Sequence, residues 1–192
     1  MNFKMKLAGM IFSVDGIHPE LERYCRDYLI KKEETFKEQE LPHERIKITP
    51  EMVLAEQKET ESGMTAGASY SDSYLETLAL LRQITKAAAL HDRFLCHGAA
   101  ITWRDHGYLF TAPSGTGKTT HISLWKQYLG DEVEIVNGDK PLVEACADGF
   151  RVYGTPWAGK ERWQKNRSML LNGICVICRA KENTIRRLTP LE

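Results

Sequence analysis

Along this chain the spacing of apolar residues changes period several times. Residues 3–14 read as a strand, because Phe3, Met5 and Leu7 alternate with Lys4 and Lys6 before an apolar stretch to Val14. Asp15-Gly16 is a turn signal. Pro19 suits a first helical turn, and Leu21, Tyr24, Cys25, Tyr28 and Leu29 recur at helical spacing. The charged run over residues 31–40 is then the solvated end of that helix. Residues 45–49 predict another short strand.

Apolar content collapses over residues 56–71, EQKETESGMTAGASYS, which predicts an exposed loop or linker. It divides an N-terminal α+β element (residues 1–70) from a second unit (71–192). Ser73-x-x-Glu76 has the form of a capping box, and the helix it starts runs to about Leu90 with Tyr74, Leu78, Leu81 and Ala88 on one face. From Arg93 onward short apolar segments alternate with turns, at residues 99–103, 108–111, 133–136, 150–153, 173–178 and 184–188. Helices and short strands in this order predict an α/β class.

Composition narrows the partners. Of 192 residues, 26 are Lys or Arg and 26 are Asp or Glu, so the net charge of zero gives no general attraction to nucleic acid or an anionic membrane. With 42% apolar residues the chain can bury one sizeable core, or one core with a small lobe. No apolar run approaches the roughly 20 residues of a membrane span, and the start lacks a small-residue cleavage site, so a cytoplasmic location is the expectation. Five scattered cysteines argue against a disulfide framework. Cys175-x-x-Cys178 sits in a strand-like setting, where residues at that separation point to opposite faces, and so is not read as a zinc or redox pair.

The most informative stretch is Tyr108-Leu-Phe-Thr-Ala-Pro-Ser-Gly-Thr-Gly-Lys-Thr-Thr120. An apolar strand enters a glycine-rich turn, and a helix follows through Leu129 to Gly130. This order builds a phosphate cradle. Gly115 and Gly117 let the turn, which also holds Pro113, Ser114 and Thr116, curl its backbone N–H groups around phosphate oxygens, and the start of the helix, with Thr119 and Thr120, adds its positive end. Lys118 reaches the β- and γ-phosphates, and the Thr119 hydroxyl helps hold Mg2+. The motif departs from G-x-x-x-x-G-K-[ST] at one place, where Ala112 replaces the first glycine.

Phosphoryl transfer also needs an acid at the metal. Strand residues 133–136 end in Asn137-Gly138-Asp139-Lys140-Pro141, which puts Asp139 just past a strand end. There it either faces the Mg2+ or serves as a turn residue. Further on, Gly154-Thr-Pro-Trp-Ala-Gly-Lys-Glu-Arg162 is a stiff turning loop. Lys160 or Arg162 there is suited to neutralise charge on a transferred phosphoryl group, and Glu161 to hold a water or metal. The alternative is a solvated charged turn anchored by Trp157 and Trp163.

These motifs, with the pair His97-Gly98 ahead of the next strand, resemble the ATP-binding domain of HPr kinase/phosphorylase over residues 94–188. That family shares its P-loop fold with phosphoenolpyruvate carboxykinases. The resemblance implies a mixed, partly antiparallel sheet and a Mg2+-ATP-dependent kinase that phosphorylates a hydroxyl, plausibly Ser, on a small protein or peptide. Its subunits would associate. It implies catalytic roles for Lys118, for His97 near the reacting phosphate, and for Asp139 as metal holder and base. The family carries two adjacent acids where this chain has Gly138-Asp139, so a non-catalytic ATP-binding sensor or scaffold is the competing reading. A metabolic carboxykinase fits poorly, because the chain is short and shows no carboxylate-binding Arg constellation.

Overall fold

The computed structural model describes residues 1–30, 41–62 and 69–189; the charged run 31–40 therefore lies outside the described residues. Strands β1 (Asn2–Leu7) and β2 (Met10–Asp15) pair antiparallel, from Asn2 opposite Asp15 to Leu7 opposite Met10. The single strand expected over residues 3–14 is thus a hairpin. Ala8 and Gly9 both adopt positive φ, 50° and 75°, the geometry of a two-residue turn that matches strand twist. Helix α1 (Pro19–Tyr24) ends in a 3-10 turn at Arg26–Tyr28, and β3 (Glu44–Lys47) adds parallel to β2.

Helix α2 (Pro50–Ser62) overturns the expected loop over residues 56–62, while residues 63–68 of that stretch lie outside the described residues. Its Glu, Gln and Lys residues are good helix formers. Little burial is needed, since only Val53 and Glu56 are buried, and the Glu56 carboxylate receives Arg82 Nε at 2.5 Å. Helix α3 (Asp72–Ala89) is capped by Ser71, whose Oγ accepts from Tyr74 N at 3.3 Å, and not by the expected Ser73–Glu76 box. Glu76 is fully buried and turns to the N-terminal segment, accepting from Ile17 N at 2.5 Å and His18 N at 3.0 Å. Tyr74 is exposed; the buried face is Leu75, Ala79, Leu80, Ile84 and Ala88. One core joins Phe3, Met5 and Phe12 to Val53, Leu80 and Ile84, and takes in Leu142 and Trp157 from beyond residue 90.

The remaining strands are β4 (Arg93–Leu95), β5 (Gly98–Trp103), β6 (His106–Thr111), β7 (Val133–Asn137), β8 (Leu142–Cys146), β9 (Gly149–Tyr153) and β10 (Ser168–Val176). They form a mixed sheet in the order β4-β8-β9-β10-β6-β5-β7, parallel only between β10 and β6. Helix α4 (Lys118–Leu129) packs on one face, where Ile122 meets Ala99, Ile101, Phe110 and Val133. Residues 184–188 form no strand; they carry Arg186 and Arg187 and are exposed.

The sheet is strongly curled. In its order β4 and β5 stand five places apart, roughly 24 Å in a flat sheet. Yet the chain passes from Leu95 to Gly98 in three residue steps, a reach of about 11 Å. The links β4–β5 and β7–β8 therefore draw the two sheet edges together, and Cys96 N donates to Pro141 O at 2.9 Å between them. The chain is a mixed α/β structure, and no helix among the described residues is long and apolar enough to cross a membrane.

Candidate functional site

Strand direction gathers the candidate residues. Because β5 runs antiparallel to both β6 and β7, the residues preceding β5 lie beside those following β6 and β7. His97, the glycine-rich turn and Asp139 thus share one end of the sheet. Three hydrogen bonds fix this meeting. Thr111 Oγ1 donates to His97 O at 3.0 Å, Gly98 N donates to Asp139 O at 2.8 Å, and Ile177 N donates to Thr111 O at 2.9 Å.

The turn holds Gly115 at φ 76° and Gly117 at φ 120°, angles that side-chain-bearing residues rarely adopt. A Cβ at either glycine would meet nothing within 4 Å, so the turn opens onto free space. Gly117 is the N-cap of α4 and offers no side chain to the first-turn N–H groups. Those donors and the helix dipole make an anion-binding end. Lys118 is buried, and its Nζ donates to Ala112 O at 2.9 Å across the turn. Thr119 and Thr120 follow in the first turn of α4; Pro113, Ser114 and Thr116 complete the curve, with Thr116 N donating to Pro113 O at 3.3 Å.

Asp139 is held by its own strand end. The buried Asn137 accepts with Oδ1 from Asp139 N at 3.0 Å and from Lys140 N at 2.8 Å, while its Nδ2 donates to Thr155 O at 2.9 Å. Thr155, also fully buried, donates from Oγ1 to Lys140 O at 2.7 Å. The Asp139 carboxylate then meets two side chains, His97 Nε2 at 3.3 Å on Oδ1 and the Lys140 ammonium at 3.3 Å on Oδ2. Burial holds the His97 imidazole below its ordinary range, and the Lys118 charge pushes the same way against the pull of Asp139. His97 is therefore neutral at pH 7 and hydrogen-bonds Asp139 without adding charge.

Gly138 has a steric reason. A Cβ there would lie 2.6 Å from Ala158 O, closer than side chains stand to backbone oxygen. The second acid has no room in this turn.

The loop after β9 is divided. Trp157 is buried and anchors it, whereas Lys160, Glu161 and Arg162 are exposed. Arg162, at φ 52°, sets its guanidinium 6.0 Å over the Tyr24 ring, toward the N-terminal layer rather than the glycine-rich turn. Burial raises the Tyr24 phenol well above its usual range, and Asp139 adds to the rise.

Two contacts escaped the motif reading. Arg179 donates from Nη2 to Gly115 O at 2.6 Å and from Nε to Thr116 O at 3.2 Å, pinning the outer curve of the turn. It reaches there because β10 lies parallel to β6, a pairing with no local signature. Lys140 was visible beside Asp139, but its ion pair depends on the Asn137 turn. Cys175 is half-buried and Cys178 exposed, with no metal cluster of three or more His, Cys, Asp or Glu among the described residues. Comparison with protein-family models gives no match, and neither does comparison with curated proteins.

Proposed function

We propose that the chain is an ATP-dependent phosphotransferase resembling HPr kinase, with a P-loop unit that transfers the γ-phosphoryl group to a hydroxyl, Ser on a protein or peptide. The observation that carries this reading is one sheet end that combines an uncapped helix start, a buried lysine and a fixed Asp–His pair. Backbone N–H groups of residues 114–117 bind phosphate oxygens, and Lys118 exchanges Ala112 O for the β- and γ-oxygens. Thr119, in the first turn of α4, and Asp139, just past the end of β7, are the residues that would hold a Mg2+ ion together with phosphate oxygens and water. Such an ion would neutralise charge on the β- and γ-oxygens. Neutral His97 orients Asp139.

A second reading, a non-catalytic ATP-binding sensor or scaffold, draws on the excluded acid at 138. Incubation with γ-labelled ATP, Mg2+ and Ser-containing peptides separates the two. The kinase transfers label and Asp139→Asn loses it; tight ATP binding without transfer or hydrolysis selects the sensor. Independently, Lys118→Ala is expected to abolish the thermal stabilisation that ATP confers, and stabilisation that survives removes the nucleotide site from both readings.

A further inference from the structure

Building on the phosphotransferase reading, we infer that Glu161 is the general base for the acceptor hydroxyl, so that a second loop provides the carboxylate excluded from position 138. The turn at Gly159 brings the two acids together. A Cβ placed on Gly159 would stand 3.4 Å from Asp139 Cβ, 4.0 Å from its carboxyl carbon and 3.8 Å from Glu161 Oε2. The two carboxylates thus flank one bare α-carbon, although they stand 22 positions apart in sequence.

Their engagements differ. Both oxygens of Asp139 are already met, one by His97 and one by Lys140. Glu161 is exposed and makes no ion pair among the described residues. Two donors occupy about half of the roughly four lone-pair sites of Asp139 and leave the rest for a metal ion, whereas Glu161 has both oxygens to offer a substrate proton. Asp139 keeps the metal, and Glu161 takes the proton.

The step balances. The acceptor O–H gives its proton to a Glu161 oxygen as the acceptor oxygen bonds to the γ-phosphorus. The bond from that phosphorus to the β,γ-bridging oxygen breaks, and its electron pair leaves on ADP.

The test uses the full chain with γ-labelled ATP, Mg2+ and a Ser peptide that wild type phosphorylates. Glu161→Gln is expected to lower kcat on the order of 100-fold while the calorimetric Kd for MgATP stays within about twofold. Glu161→Asp recovers part of the rate, and added formate restores transfer in Glu161→Ala. A Glu161→Gln enzyme with wild-type kcat overturns the inference. So does a loss of rate matched by an equal loss of MgATP affinity, which makes Glu161 a metal or nucleotide holder instead. Absence of transfer in wild type fells the phosphotransferase reading itself, and the base with it; failure of the Glu161 variants alone fells only the base.

Discussion

Position 138 shows how one missing methyl group decides a site. Its α-carbon passes so close to the backbone of the neighbouring loop that a Cβ would stand 2.6 Å from Ala158 O. Gly138→Ala is expected to cost about 1–3 kcal/mol, as overpacking does. At roughly 2–4 °C per kcal/mol for a chain of this size, calorimetry should show a lower Tm. Gly138→Asp is expected to destabilise at least as much; a Gly138→Asp protein as stable as wild type would show that the turn does accept the second acid. From the residues alone, Gly138 reads as a missing acid, because Ala158 is 20 positions away and its approach has no local signature. Glu76 teaches the same lesson. Its spacing from Ser73 fits a cap, but its carboxylate serves Ile17 and His18, whose position follows only from tertiary packing.

Among the elements, α4 was the most legible, since glycines precede it, Gly130 stops it, and its start and end match the expectation. Its attachment to the sheet was not. His121 lies against Phe110, with ring centroids 4.7 Å apart, and its Nε2 accepts from Trp125 Nε1 at 3.0 Å, which requires the neutral ring. Burial accordingly lowers the His121 pKa from its ordinary 6.5. The unfolded chain then binds the proton first as pH falls, so this contribution is whole above about pH 6.5 and is lost on acidification below it. Between pH 7.5 and 5.5 the Tm of wild type is therefore expected to fall further than that of His121→Gln, measured in parallel; equal slopes would remove His121 as a source. Helix α2 departs from the sequence expectation for a different reason. Its sequence buries almost nothing, so hydrophobic periodicity had no stripe to detect, while an ion pair to α3 secures it.

Across the whole molecule, Trp157 ties the curled sheet to the N-terminal layer. It is buried, its Nε1 donates to Thr77 O at 3.0 Å, and its ring lies 6.1 Å from Tyr24. Trp157→Ala is expected to cost about 3–5 kcal/mol. Trp157→Phe, which keeps most of the apolar contact but loses the hydrogen bond, is expected to cost about 1–2 kcal/mol. Denaturant unfolding read by far-UV dichroism measures both, and a Trp157→Ala protein as stable as wild type would mean the two layers hold without this link. The sequence by itself determined the mixed α/β class and the strand–glycine turn–helix segment, because these depend on periodicity and on residues adjacent in the chain. It also placed His97, Lys118 and Asp139 next to strand or helix ends. Only the tertiary structure brought those ends together, through the antiparallel β5 between β6 and β7, and set Glu161, Lys140 and Arg179 around them. Strand order and loop-to-loop approach depend on contacts between residues far apart in the chain, which no local pattern encodes.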